Sequence, residues 1–353
     1  MAKVWQFVDS GGIGGIEKHI LVLAGALKEK GYDCNIVLWN DYVNNLWLNQ
    51  IKDAQISYKS LQGSFKHLYK TIKSEHPAII HTHGYKAGIL GRAAGAITNT
   101  NTKVVSTFHA GEIGNFPLNL YQFLDNASSI LSSRISVSKD IANSLFYSSD
   151  LIPNFIEAPA QPPNRPLGKE IAFIGRLSYE KAPDIFCQLA KSYENDGYSW
   201  NIYGDGPMGQ ELRRDFSSNV QFHGMTADLS QVWPKLGLVI IPSRAEGLPL
   251  VVLEAMASGI PVIAANVGAL PDIISRGVGW VFHSNDFPSL QTVFTEWKHS
   301  TPEQLMMKRQ KALALVREKY SSAKYVPKII SVYEKAGLPP KPSEHPINLK
   351  SNA

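Results

Sequence analysis

Residues 240–265, IIPSRAEGLPLVVLEAMASGIPVIAA, read as a buried strand, a loop, a helix and a second buried strand, with glutamates at 246 and 254. The apolar run Leu236 to Ile241 stops at Pro242, so the strand ends there and hands its ligand-facing edge to the loop. Pro249 suits a first helical turn, LVVLEAMA continues it, and Ser258-Gly259 ends it. The backbone from Gly247 through Leu248 and Pro249 to Leu250 then forms a helix N-terminus beside a glycine-containing turn, a natural seat for a diphosphate. Glu246 would repel that anion, so it is expected to serve hydroxyls or positive charge that develops during a reaction. Glu254, one to two turns inside the helix, is placed to accept from a ribose or sugar hydroxyl. An ordinary strand-helix-strand with two solvated acids is the plain alternative.

Outward from this segment, 353 residues suffice for two α/β domains and exceed a comfortable single core. Apolar content of 44% against 18% charged residues is that of a folded chain rather than a disordered one. The net charge of +5 permits an anionic substrate or an acidic membrane surface, but no arginine-rich block or aromatic repeat points to nucleic acid. Cys34 and Cys187 lie in different halves and read as buried small residues, which implies neither disulfides nor a cysteine metal site. AKVWQFVDSGG at the start reads as a first strand rather than a secretion signal, and no stretch reaches 18 apolar residues. A cytoplasmic protein, at most peripheral on the inner face of a membrane, is the expectation.

Strand Lys3 to Val8, helix Ile16 to Lys30 and strand Cys34 to Trp39 make a βαβ opening. Glycines 11, 12, 14 and 15 do not form the dinucleotide fingerprint, and only Asp41 is placed to hold a ribose after the second strand, so a dehydrogenase is disfavoured. Strands at Ala78 to Thr82 and Lys103 to Thr107 deliver HTHG and FHAGE to the edge where open parallel sheets bind ligands. His81, His83 and His109 sit on separate elements without a carboxylate constellation, which is weak grounds for a metal. The helix Phe65 to Ser74 carries Lys66, Lys70 and Lys73, read as a solvated face before a lipid-binding one. Ser138 is an expected N-cap, and the proline-rich run from Pro159 to Pro166 a stiff connector. Past it, Arg176 and Lys181 bracket a turn after the strand Glu170 to Ile174, so two cations can meet near Glu246 as a pyrophosphate clamp. Strands ending at Gly204 and at Gly224-Met225 can form a slot for a flat base. The helices Phe287 to Trp297, Pro302 to Val316 and Ala323 to Lys335 follow the loop that holds Leu270 and Asp272.

With Glu246-x7-Glu254 inside EGLPLVVLEAMASGIPVIA, the chain resembles the retaining, nucleotide-sugar-dependent glycosyltransferases of family 4, whose GT-B architecture sets two Rossmann-like α/β domains across a cleft. The resemblance spans nearly the whole chain and is strongest from Phe173 to Asp272. It implies residues 1–155 as an acceptor-side domain, 156–168 as linker and 169–320 as the nucleotide-sugar domain. A last helix at about 323–337 packs back on the first domain, ahead of a frayed tail at 338–353. It implies a donor-phosphate pair in Arg176 and Lys181, flanked by Gly175 and Glu180, and a glycine loop facing the cleft at Gly14, Gly15 and Glu17. It further implies a sugar contact for His109 in the segment led by Thr107, and Asn154 of the Ile-Pro-Asn turn at the cleft mouth. His83 is left between the acceptor side and a supporting hydrogen bond.

The chemistry so implied moves a hexosyl group from a UDP-, GDP- or ADP-sugar to a hydroxyl of a glycan or lipid-linked acceptor, as in bacterial surface polysaccharide or lipopolysaccharide synthesis. Arg176, Lys181 and the helix amides stabilise the leaving diphosphate. No Asp-x-Asp motif appears, so neither a metal nor another cofactor is expected. Retention follows from the resemblance alone, with front-face transfer preferred over a covalent intermediate on Glu246. The rivals are a nucleotide-sugar epimerase or hydrolase on the same architecture and a noncatalytic protein that keeps the cleft.

Overall fold

Continuous apolar strands such as KVWQFV and LGLVII are buried on both faces, which a parallel sheet covered by helices on both sides allows. The computed structural model describes residues 1–43, 45–109, 118–161, 166–226 and 228–339. Residues 162–165 of the connector, residues 110–112 of FHAGE and the tail from 340 lie outside the described residues.

The first half runs β1 (Lys3–Val8), α1 (Gly15–Glu29), β2 (Asp33–Leu38), α2 (Trp47–Asp53), β3 (Ser57–Ser60), α3 (Phe65–Glu75), β4 (Ile79–His83), α4 (Tyr85–Ile97), β5 (Lys103–Phe108), α5 (Leu118–Ser128), β6 (Ser133–Ser136), α6 (Lys139–Ser144) and β7 (Asp150–Leu151). Its parallel sheet has the order β3-β2-β1-β4-β5-β6-β7, with the reversal of winding between β1 and β4. The second half runs β8 (Glu170–Ile174), α7 (Pro183–Ser192), β9 (Ser199–Tyr203), α8 (Gly209–Phe216), β10 (Gln221–Phe222), β11 (Leu236–Ile241), α9 (Leu250–Ala257), β12 (Val262–Ala265), α10 (Leu270–Ile274), β13 (Trp280–Phe282), α11 (Phe287–Lys298), α12 (Pro302–Lys319) and α13 (Ser322–Ala336). Its parallel sheet has the order β10-β9-β8-β11-β12-β13. These are the two Rossmann-like layers of a GT-B fold. Ligands in such sheets gather outside the strands' C-terminal ends at the reversal of strand order.

Local chemistry explains several element ends. Ser138 Oγ accepts from Ile141 N–H and caps α6, while Thr301 and Gln304 form a reciprocal capping box at α12. Pro183, Pro288 and Pro302 sit in first turns, where the missing N–H costs nothing. Helix α2 is only two turns long and β3 lacks apolar alternation, so neither is long enough or patterned enough to be announced by periodicity. Trp47 and Ile51 anchor α2 into the core beneath β1 and β2.

Chain crossings join the halves. Ile156 N–H donates to Tyr320 C=O at 2.9 Å and Ser322 N–H to Ile156 C=O at 2.8 Å, so the outgoing and returning strands run side by side. Helix α13 then packs on the first sheet, where Tyr325, Val326, Ile329 and Tyr333 join the core formed by Val4, Ile20 and Ile79. Full burial of each such large apolar side chain contributes about 1.5–3 kcal/mol.

Candidate active site

Between the two sheets lies a cavity of about 490 Å³, lined from the first half by Ile13, Gly14, Gly15 and Lys18 and from the second by strand-end and loop residues. Gly204, at the end of β9, is the tightest part of that wall: its φ is +146°, and a Cβ there would come within 1.9 Å of Gly175 C=O. Any side chain would push apart the ends of β8 and β9, so the glycine is what lets Gly175 and Arg176 approach the cavity. Gly268, with φ of +53°, acts likewise beneath the loop of Glu246, whose carbonyl would lie 1.9 Å from a Cβ.

Arg176 is exposed into this space and Lys181 half-buried. Lys181 Nζ lies 2.6 Å from Glu246 Oε1, which also accepts from Ser243 Oγ at 2.8 Å; the Glu246 side chain is 6% exposed. Pro249 is the N-cap of α9, and Leu250 begins it at the cavity wall. One anion-stabilising helix start, one free-facing guanidinium and one ammonium shared with a buried carboxylate therefore border the same volume. A diphosphate placed there competes with Glu246 for Lys181. Glu254 stands beside this volume: Lys18, which lines the main cavity, reaches across from α1 with Nζ 2.7 Å from its Oε2, and Glu254 borders an adjoining cavity of about 320 Å³ with Lys18, Trp233 and Leu250.

The first sheet presents a wall of imidazoles. His83 Nε2 meets Gln6 Oε1 at 2.9 Å and its Nδ1 meets His109 Nε2 at 3.0 Å. His81 Nδ1 meets Tyr333 Oη at 2.7 Å and its Nε2 meets Thr107 Oγ1 at 2.6 Å. Burial lowers the pKa of His19 to about 4 and of His81 to about 3, and drives His83 and His109 well below the usual range, with the neighbouring imidazoles adding to the effect in His81, His83 and His109. All four are neutral near pH 7. His109 also lines a second cavity of about 300 Å³ with Tyr85, Asn119, Gln122 and Asn126.

Comparison with known proteins decides the family. A profile described as Glycosyltransferase Family 4 matches residues 13–156, and one described as Glycosyl transferases group 1 matches residues 168–293, so that together they take in most of the chain. The chain belongs to glycosyltransferase family 4. This enzyme is 25% identical over 258 residues to an Escherichia coli UDP-Gal:alpha-D-GlcNAc-diphosphoundecaprenol alpha-1,3-galactosyltransferase, covering 63% of the present chain and 66% of the relative. It is 23% identical over 293 residues to the O-antigen biosynthesis glycosyltransferase WbnH of E. coli, covering 78% and 84%. The Anabaena protein HepE, solved with UDP and glucose, superposes with a TM-score of 0.76 at 18% identity over 95% of the present chain and all of the other; at that identity the likeness speaks for the fold.

Of the glycosyltransferase residues singled out in the sequence, Gly14, Gly15, Gly175, Arg176, Lys181, Gly204, Met225, Glu246, Pro249 and Leu250 border the main cavity. Gly224, Gly247, Leu248 and Glu254 stand behind or beside it. Gly224 C=O accepts from Gly204 N–H, and Leu248 C=O accepts from Asn154 Nδ2 at 3.2 Å, so Asn154 ties the interdomain turn to the α9 loop. His109 lines the second cavity instead. Glu17 accepts from Ser10 Oγ and closes its own loop, and His83 is a buried link between Gln6 and His109. Leu270 is buried in the core beneath the Gly268 turn. Residues not foreseen are Lys18, Ser243, Tyr203 and Asp205 in the cavity wall, and Gln6, His19 and Tyr333 in the imidazole wall. The signal for Lys18 was its place one residue after Glu17 in the first turn of α1, behind the glycine loop; Tyr333 had none, lying 252 residues from His81.

Proposed function

We propose that this glycosyltransferase moves a hexose from a UDP-sugar, with retention, to a hydroxyl of a lipid-linked glycan in bacterial surface polysaccharide synthesis. The observation that carries the proposal is the main cavity, where Arg176, Lys181 and the start of α9 converge on one side and Gly14 and Gly15 close the other. UDP as the nucleotide rests on the solved relative that holds it and on the galactosyltransferase named above. As the glycosidic bond to phosphate stretches, negative charge grows on the diphosphate. Arg176 and the helix start stabilise it, and Lys181 shifts from Glu246 toward the phosphate. Glu246, held by Ser243, then faces the sugar side as positive charge develops there. The acceptor hydroxyl enters on the same face and passes its proton to the leaving phosphate.

The lipid-linked acceptor has a second support. Beside the His109 cavity, α5 and the following turn expose Leu120, Tyr121, Phe123, Leu124, Ile130 and Leu131, and Phe123 meets exposed Phe146 at 5.8 Å between ring centroids. An apolar face of this kind fits peripheral contact with the inner leaflet and a lipid carrier. Among the described residues no helix is long and apolar enough to cross a membrane.

The test is transfer from labelled UDP-hexoses to a diphosphate-lipid glycan, run with and without excess EDTA. Transfer that persists in EDTA is expected, since Arg176, Lys181 and α9 supply the countercharge. Loss of most activity, restored by magnesium or manganese, would contradict it.

A further inference from the structure

His19, on α1, is 2% exposed, and neither of its ring nitrogens has a hydrogen-bond partner. Its ring packs against His109 at 5.1 Å and Phe155 at 4.8 Å between centroids. A neutral imidazole carries one donor and one acceptor, and burying both unpaired is costly. The neighbouring pair is also short of a partner. Gln6 Nε2 faces Cys34 Sγ and Tyr333 Oη, so its Oε1 is the acceptor that takes the His83 Nε2 proton. The His83 Nδ1 lone pair therefore points at His109 Nε2, 3.0 Å away.

Asn154 makes the same demand on His109. Its Nδ2 is committed to Leu248 C=O, its Oδ1 is buried without a donor at full hydrogen-bonding geometry, and the side chain approaches His109 closely enough to favour a proton there. If His109 carries its proton on Nδ1 for Asn154, two lone pairs face one another at 3.0 Å. If it carries the proton on Nε2 for His83, the Asn154 oxygen stays unpaired. A cation between the rings resolves both, and burial disfavours a proton in that role.

We propose that His19, His83 and His109 form a binding site for a divalent transition ion of the zinc class. Their ligand nitrogens all lie within 4.8 Å of one another. Tetrahedral zinc-to-nitrogen bonds of about 2.0–2.1 Å set the ligand nitrogens about 3.4 Å apart, so His83 and His109, whose nitrogens face one another at 3.0 Å, spread and turn to share one ion while His19 closes in. Three neutral imidazoles select zinc, cobalt, nickel or copper over magnesium or calcium. Gln6 and Asn154 supply the outer hydrogen bonds that fix ring orientation in such sites. His109 is half-exposed into the second cavity, which gives the ion a path in. The ion is not part of the donor clamp.

The full chain, stripped with a chelator and titrated with Co²⁺, tests binding without reference to activity. One equivalent per chain with the visible bands of a tetrahedral-type site, displaced by Zn²⁺, is the expected result. His19→Asn, His83→Gln and His109→Asn each weaken Co²⁺ at least about tenfold, while His67→Asn, on the exposed face of α3, changes nothing. Circular dichroism and cooperative thermal unfolding report whether a buried variant is folded, and half-buried His109 supplies the answer if His19→Asn is not. Absence of the bands, or Co²⁺ affinity unchanged in the folded variants, overturns the site.

Discussion

The edge of the second sheet and the edge of the first meet across one cleft but are built in opposite ways. On the second, Arg176, Lys181, Ser243, Glu246 and Pro249 come from two short loops, and their charged heads meet the cavity directly. On the first, Gln6, His19, His83, His109 and Tyr333 come from β1, α1, β4, the residue after β5 and α13, and the last arrives by a crossing of more than two hundred residues. The clamp draws on two loops of one domain and opens to the cavity, whereas the imidazole wall draws on five elements and is largely buried and neutral. The clamp's exposed members can be altered with little effect on folding; a wall assembled from distant elements ties function to stability.

The largest effects should fall on the clamp. Arg176→Ala and Lys181→Ala are expected to lower the rate of transfer by about 10²–10³-fold, the usual cost of removing a group that stabilises developing charge. They should differ in stability. Arg176 is exposed, whereas Lys181→Ala leaves Glu246 nearly buried with only Ser243 as partner, so thermal unfolding should fall in the second variant alone. Equal stability with equal turnover would erase the contrast between the shared ammonium and the free guanidinium.

Next comes the wall. Tyr333→Phe removes the hydroxyl that joins Gln6 to His81 and should cost about 1–3 kcal/mol in urea unfolding, with UDP affinity unchanged. Acid should act on the same region. The folded values of His19 and His81, about 4 and about 3, lie below the free value of 6.5 because burial opposes the charged form. The unfolded chain then binds more protons, so stability is whole above pH 6.5 and falls as pH drops toward 4, by up to about 1.4 kcal/mol per pH unit for each such group. Unfolding midpoints between pH 7 and 5 check this, and a flat profile would mean the wall is open to water. The smallest effect belongs to the apolar face: Phe123→Ser should raise KM for a long-chain lipid acceptor a few-fold and leave a short water-soluble acceptor unaffected.

The same contrast explains what could be read in advance. Strand β8 and helix α5 were legible to the residue because their ends carry sharp composition changes, and Glu246-x7-Glu254 was legible because both acids hang on one loop and helix. Nothing in that spacing tells that Lys181 pairs with Glu246 or that Lys18 crosses to Glu254, since each pairing depends on how separate elements approach. The three histidines of HTHG and FHAGE were visible as a group, but the one that completes the cluster is His19 on α1, not His81, which turns to Tyr333 and Thr107. Strand β3, SYKS, was missed because it is a half-exposed sheet edge with no apolar alternation.

The division of labour between the two glutamates tests the account most directly. Steady-state transfer in EDTA, paired with calorimetric titration of bare UDP, should be measured for Glu246→Gln and Glu254→Gln. Glu246→Gln is predicted to lose turnover by at least about tenfold while UDP binds as tightly or more tightly, because Lys181 is released to the phosphates. Glu254→Gln is predicted to weaken UDP-sugar and UDP together with turnover at saturation largely kept. Loss of UDP binding in Glu246→Gln with full turnover at saturation, or normal transfer by both variants, would contradict the placement of donor, clamp and sugar described above.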